Sequence, residues 1–315
     1  MIEVLIAKRE TQARDVIVLD LVAADGAALP AFTPGAHVDV EIEPGLTRQY
    51  SLCGDPAETR HYRIGVLRDP KSRGGSERIH ARFDAGQTIR IGEPRNLFPL
   101  DAAAAQSVLL GGGIGITPMI AMAHALYAAG QPFALHYCAR GRESAAFVEE
   151  LAQAPFADRV HLHFDAGEGT APFDPATDLP DPGQGAHVYC CGPTGFMEFM
   201  RESALARGYA PEALHQEFFT AEVDASGDSF EVELARSGKT VTVAEGQSIV
   251  AALATVGVKV DVSCEQGICG TCACDVLSGT PDHRDSYLTD DEKADNDQIM
   301  LCCSRAKSPR LVLDL

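Results

Sequence analysis

The sequence predicts a three-part chain: an antiparallel β-barrel, a Rossmann-like parallel α/β sheet, and a small C-terminal domain built around a cysteine loop. Three observations carry this. Short alternating strand runs fill the first hundred residues, strands alternate with helical runs from Gln106 onward, and six of the ten cysteines fall from Cys264 to Cys303. The implied domains are 1–104, 105–224 and 225–315.

The barrel strands are VIVLDLVA, HVDVEIEP, TRQYSLCG, HYRIGVLR and TIRIGEP, punctuated by Gly and Pro at intervals of roughly ten residues. Pro34-Gly35, Pro44-Gly45 and Ala85-Gly86 mark turns. SERIHARF reads as a short helix between the last two strands.

From Gln106 the pattern changes. SVLLGGGIGITPMIAMAHALYAAG reads as a buried strand, a glycine turn and a helix, and PFALHYCAR as the next strand. SAAFVEELAQAP is a second helix and RVHLHFDA a third strand. HVYCCGPTGFMEFMRESALARG repeats strand, turn and helix, and the unit closes near EFFTAEV. Alternating strands and helices imply a parallel sheet covered on both faces. The polar stretch TAEVDASGDS is a linker, followed by a hairpin and helix in FEVELARSGKTVTVAEGQSIVAALATVG and a closing strand in IMLCCSRAKSPRLVLDL.

Composition narrows the function classes. The 45% hydrophobic and 23% charged residues are those of a globular protein, and no apolar run approaches the roughly 20 residues that span a bilayer. MIEVLIAKRE lacks the pattern of a signal peptide, so the expected location is the cytoplasm. The net charge of −19 is unevenly spread. Residues 1–104 carry 13 Lys/Arg against 15 Asp/Glu, residues 105–224 carry 5 against 15, and residues 225–315 carry 8 against 15. Such a field repels nucleic acid and anionic membranes and attracts basic partners. Ten cysteines in a cytoplasmic chain point to a metal or cluster rather than to disulfides.

Cys264, Cys269 and Cys272 follow the C-x4-C-x2-C spacing of plant-type [2Fe–2S] ferredoxins, with a fourth thiolate about 30 residues on at Cys302 or Cys303. Two irons need four thiolates, and Gly267 and Gly270 let the loop wrap the core with its N–H groups toward the sulfurs. Zinc is the rival reading, but only one short knuckle is present. If the distal segment is extended, only one of Cys302 and Cys303 faces the site. Cys274 reads as a small core residue.

Gly111-Gly112-Gly113-Ile114-Gly115 lies between an apolar strand and a helix, where a pyrophosphate can approach a helix N-terminus. Position 116 is Ile, so the dinucleotide fingerprint is incomplete. Cys191-Gly192-Pro193 ends a later strand of the same sheet, and two such turns make a nucleotide crevice. On the barrel, Arg73-Gly74-Gly75-Ser76 opens a helix and makes a phosphate cradle, with Arg48 as a cation and Tyr50 as an aromatic face. Three clusters read as ordinary structure. His161-Leu162-His163-Phe164-Asp165 is a strand with polar residues on one face. Asp282-His283-Arg284-Asp285 is a solvated turn. Thr289-Asp290-Asp291-Glu292 is a capped helix start.

In this order, RQYSL (48–52), RGGS (73–76), GGGIGITPM (111–119), CGP (191–193), HQEFF (215–219), CEQGICGTC (264–272) and LCCSRA (301–306) resemble the phthalate dioxygenase reductase family, the reductase components of Rieske oxygenase systems. The resemblance spans essentially the whole chain. It implies an FMN-binding barrel, an NAD-binding domain and a C-terminal ferredoxin of the β-grasp type. By motif, Arg48, Tyr50, Ser51 and Leu52 would line the flavin, and Gly74, Gly75 and Ser76 would hold its phosphate. Gly111, Gly112, Gly113, Gly115, Thr117 and Pro118 would face the flavin–nicotinamide junction. Cys191, Gly192 and Pro193 would position the nicotinamide, Phe219 would cover the flavin ring with Glu217 beside it, and Arg140 would lie by the nucleotide. The cluster ligands would be Cys264, Cys269, Cys272 and Cys302, although the family usually has an apolar residue where Cys303 stands. The implied activity is NADH to FMN to [2Fe–2S] to a terminal Rieske-type oxygenase. A reductase acting on flavin, ferric or quinone acceptors without a protein partner is the alternative.

Overall fold

The first strands close on themselves. A computed structural model describes residues 1–70, 74–166, 169–219 and 223–315, which divide into two units, Met1–Phe219 and Thr220–Leu315. In the first unit, β1 (Ile2–Ala13), β2 (Val16–Ala23), β3 (Ala36–Glu43), β4 (Leu46–Ser51), β5 (His61–Leu67), β6 (Thr88–Ile91) and β7 (Arg95–Asn96) form one antiparallel sheet in the order β4-β3-β6-β1-β2-β5, with β7 beside β3. An antiparallel bridge between Leu52 and Ile64 joins the two ends, leaving little exposed edge. Val4, Ile6, Leu19, Leu21, Val38, Val40 and Ile91 fill the interior. The sequence reading omitted β1, whose alternation is broken by register shifts after Ile6 and after Thr11. Helix α1 (Gly75–Arg82) crosses between β5 and β6.

The same unit carries a parallel sheet of β8 (Gln106–Gly112), β9 (Phe133–Ala139), β10 (Val160–Phe164), β11 (Ala186–Cys191) and β12 (Leu214–Glu217), ordered β10-β9-β8-β11-β12. The chain builds outward from β8 in one direction and then returns to its other side, so the topological switch lies between β8 and β11. In open α/β sheets the crevice at that point, outside the carboxyl ends of the strands, is where ligands bind. Helix α2 (Ile116–Ala128) is buried on nearly every side, because Ala121 joins the barrel interior while Met119 and Met122 join the sheet core. The helix expected over 144–155 is shorter, α3 (Val148–Gln153). Phe147 before it is buried in the left-handed region at φ 64°, held there as its N–H donates to the Gln12 side chain. Helices α4 (Pro175–Asp178) and α5 (Thr194–Ala206) cover the opposite face.

The second unit pairs β13 (Phe230–Leu234) with β14 (Thr240–Val243) as a hairpin. Helix α6 (Ile249–Thr255), capped by Ser248, follows. Strands β15 (Ala273–Ser278), β16 (Pro281–Asp282), β17 (Gln298–Met300) and β18 (Arg305–Ala306) come next, and β19 (Arg310–Leu313) returns parallel to β13. Helix α7 (Asp290–Asp295) starts on a full capping box between Thr289 and Glu292, as the sequence predicts. The solvated turn expected at Asp282–Asp285 is corrected. Asp285 is buried and accepts from the N–H groups of Tyr287 and Leu288 and from the Ser304 hydroxyl. Three donors replace its lost water, so the carboxylate serves as the staple of the segment packed beneath the cysteine loop. Among the described residues, no helix is long and apolar enough to cross a membrane.

Candidate functional site

The cysteine loop gathers four thiols. The Cys264 sulfur lies within hydrogen-bond reach of Cys269 and Cys302, and Cys302 reaches Cys272 in turn. Backbone and hydroxyl groups converge on the same sulfurs. The Gln266 N–H donates to Cys264 Sγ at 3.3 Å, and Cys269 Sγ lies 3.2 Å from Thr271 Oγ1. The neighbouring thiols and N–H groups hold Cys264 far below the usual thiol range, while the facing Cys264 and Cys272 sulfurs push Cys302 up. All four are buried, so ionising them together calls for cationic iron at their centre. Gly267 and Gly270 both sit at positive φ, and a side chain at Gly270 would overlap the Tyr287 ring. The distal segment is a turn rather than extended, which lets both adjacent thiols point inward. Cys302 reaches Cys264 and Cys272, whereas Cys303 packs against Gly267 on the loop's inner side. Cys274 is a buried residue of β15.

The two glycine turns meet at the switch point. Gly111 and Gly112 end β8, and Gly113–Gly115 form a 3-10 turn leading into α2. A Cβ on Gly115 would overlap the Cys191 carbonyl, and one on Gly192 would lie 3.0 Å from Gly112 Cα, so backbone packs on backbone. Phe196 lies across both, 2.8 Å from a Cβ on Gly112 and 2.7 Å from one on Gly192. The sequence reading missed Phe196, because its role depends on two turns about 80 residues apart. Thr117 and Pro118 are buried in the first turn of α2, with the Thr117 hydroxyl donating to the Ile114 carbonyl at 2.9 Å. Pro193 is exposed at the start of α5, and Arg140 is exposed just beyond β9.

On the barrel, Arg48 of β4 lies against the start of α1, where a Cβ on Gly75 would meet its Cγ at 2.8 Å. Gly74 takes the N-cap in the left-handed region at φ 86°, so the helix begins without a capping side chain and beside a guanidinium. The Ser76 hydroxyl accepts from the Asp69 N–H at 3.2 Å, and Arg73 lies outside the described residues. Tyr50 is one residue from buried Ser51 and two from buried Leu52, and burial pushes its phenol up.

Ser51 links this surface to the parallel sheet, its hydroxyl 3.4 Å from the Glu217 carboxyl at the end of β12. Burial pushes Glu217 up to about 8, with the Ser51 hydrogen bond opposing it. Cys191, fully buried opposite, is raised well above the usual thiol value by burial and then by Glu217. Phe219 packs against the core beside them. Arg48, Tyr50, Ser51, the two turns, Cys191 and Glu217 thus all belong to the first unit, and the four thiols to the second.

One comparison falls wholly within the second unit. Residues 232–307 match the 2Fe-2S iron-sulfur cluster binding domain. Vanillate O-demethylase oxidoreductase of Pseudomonas sp. (strain HR199 / DSM 7063) is 50% identical over 317 residues, covering 100% of both chains. The solved phthalate dioxygenase reductase, described as a modular structure for electron transfer from pyridine nucleotides to [2Fe-2S], is 40% identical with a TM-score of 0.75, over 99% of this chain and 97% of that one. The chain belongs to the phthalate dioxygenase reductase family.

As a phthalate dioxygenase reductase family member, the chain is an oxidoreductase, the reductase component of an oxygenase system that passes electrons through flavin and a [2Fe–2S] centre. The chain is also similar to part of an intact type IV self-sufficient cytochrome P450 monooxygenase, with a TM-score of 0.87, 37% identity and full coverage of this chain, which spans 41% of that longer protein.

Proposed function

We propose that this chain takes electrons from NADH through FMN and a [2Fe–2S] cluster and delivers them singly to a terminal Rieske-type oxygenase acting on an aromatic compound. The likeness to the vanillate O-demethylase oxidoreductase favours O-demethylation of a vanillate-like methoxy acid. When bound, the flavin supplies a hydride acceptor that can release its electrons one at a time, and the cluster supplies a one-electron outlet.

The chain's own residues position and shield. Arg48 and the N-terminus of α1, with Gly74, Gly75 and Ser76, hold the flavin phosphate, while Tyr50, Ser51, Leu52 and Phe219 line the ring. Gly111, Gly112, Gly113, Gly115, Gly192 and Pro193 admit the dinucleotide at the switch point, and Thr117 and Pro118 fix the turn. Glu217 and Cys191 stay protonated at neutral pH, which keeps uncompensated negative charge away from the hydride path. Arg140 lies beside the nucleotide, and Arg142 is paired with the Glu149 carboxylate at 2.6 Å rather than offered to a 2′-phosphate, which favours NADH. Cys264, Cys269, Cys272 and Cys302 hold the cluster. The ten cysteines, none of them in a disulfide, support a cytoplasmic location.

The convergence of four buried thiols carries this reading, because a reductase serving small acceptors from flavin alone has no use for them. Anaerobic titration tests it. Flavin and iron–sulfur absorbance should both bleach with substoichiometric NADH and far more slowly with NADPH. Bleaching of flavin with no cluster signal would reduce the activity to that of a flavin reductase.

A further inference from the structure

At the edge of the parallel sheet lies a cluster the electron path does not use. His136 on β9 and His163 on β10 are 4% and 9% exposed, and their rings stack at 5.3 Å with planes 20° apart. Nδ1 of His136 lies 3.0 Å from Nε2 of His163. The other nitrogen of His163, Nδ1, lies 2.9 Å from the carbonyl of Ala171, which can only accept. His163 Nδ1 therefore carries its hydrogen, and Nε2 presents a lone pair. The carboxylate of Asp178, on α4, brings an oxygen within 4.8 Å of ligand atoms on both imidazoles.

A count of hydrogens shows what is missing. Two neutral imidazoles carry two N–H groups. One goes to Ala171 and the other lies between the rings. No ring hydrogen remains for Asp178, whose oxygens, among the described residues, take the Asp174 N–H and the Thr177 hydroxyl of its own turn. Only the hydrogen on His136 Nδ1 lies between the rings, and a cation that displaces it meets two imidazole nitrogens and a carboxylate oxygen from three elements.

We propose that His163 Nε2, His136 Nδ1 and the Asp178 carboxylate bind one divalent transition metal of the zinc class, with a fourth position open to water. Tetrahedral zinc with nitrogens at about 2.0–2.1 Å holds them roughly 3.3 Å apart, close to the spacing seen here. The Ala171 carbonyl is the outer partner that metal-ligating imidazoles need to fix ring and tautomer. His136 moves its hydrogen from Nδ1 to Nε2 on binding, so the imidazole pair releases no proton. Exposed His161, stacked on His136 at 4.9 Å, covers the ring without belonging to the ligand set. The metal fastens the edge pair β9–β10 to α4, below the point where β9 leads to Arg140.

The test uses the oxidised holoprotein, whose cluster is silent in electron paramagnetic resonance. Zinc titrated by calorimetry should bind at one equivalent, and copper(II) in its place should show coupling to two nitrogens. His163→Gln and Asp178→Asn should each weaken zinc at least tenfold and change the copper signal, with iron content and visible spectrum unchanged. His161→Gln should bind zinc as the parent does. The proposal is overturned if the parent takes up no zinc, or if both ligand variants bind it undiminished, which would place the metal elsewhere, as at the His187–His215 pair.

Discussion

The Ser51 hydroxyl at the end of β4 donates to the Glu217 carboxyl at the end of β12, 3.4 Å away. One bond thereby joins the barrel to the parallel sheet, between the end of β4 and the end of the strand beside β11. Because burial raises Glu217 to about 8, the pair is neutral in the working range.

The first prediction follows from that neutrality. Flavin reduction by NADH, read by stopped flow, should change as pH rises through about 8, and Glu217→Gln should flatten that limb. Stability carries the same signature. The folded carboxyl is raised from 4.5, so the stability linked to it is complete below 4.5 and falls as pH rises to about 8. Glu217→Gln should therefore raise Tm at pH 8.5 and leave it unchanged at pH 4. A limb that persists in the variant would assign it to another group.

Gly115 offers a steric prediction. Its φ of −64° suits any residue, but a Cβ there would collide with the Cys191 backbone. Gly115→Ala should part the two turns, raise the KM for NADH at least tenfold and cost roughly 1–3 kcal/mol, the usual range for overpacking. An unchanged KM would show that the crevice does not depend on this contact.

Cys302 and Cys303 separate by substitution. Cys302→Ser should lose the cluster absorbance, whereas Cys303→Ser should retain it, since only Cys302 reaches both Cys264 and Cys272. Cys269→Ser should abolish transfer to an oxygenase partner while sparing reduction of ferricyanide by NADH. Equal loss of both activities would break the proposed electron order.

The motifs were legible because they are local. The spacing of Cys264, Cys269 and Cys272, the glycines at 111–115 and the capping box at Thr289 each declare themselves within ten residues. What stayed hidden depends on partners far away in the chain. Phe196 shows its position only once Gly112 and Gly192 are adjacent. Asp285 reads as a surface acid until Ser304 and the cysteine loop close over it. Nothing in PFALHYCAR marks His136, and only the pairing of β9 with β10 sets it against His163. Strand β1 escaped because its bulges interrupt the period of two on which strand recognition depends.

Arg305 belongs to the hidden class and gives the last prediction. It is 2% exposed, with its guanidinium 5.2 Å from the Phe230 ring centroid. Its nitrogens donate to the carbonyls of Gln247 at 2.7 Å, Asp228 at 2.9 Å, and Gly227 and Ala244 at 3.3 Å each. Four carbonyls from two segments are thus gathered by one rigid fork, which holds the approach to β13 against the turn before α6. Arg305→Met keeps the apolar stem but strands those carbonyls, each at a cost of about 1–3 kcal/mol where water cannot reach. It should unfold the second unit at a markedly lower temperature and release the cluster with it. Arg305→Lys keeps the charge but offers a single ammonium in place of the fork. If the fork is what matters, the lysine variant should fall well short of the parent in thermal retention of the iron–sulfur absorbance. A lysine variant as stable as the parent would show instead that one charge among the carbonyls is enough.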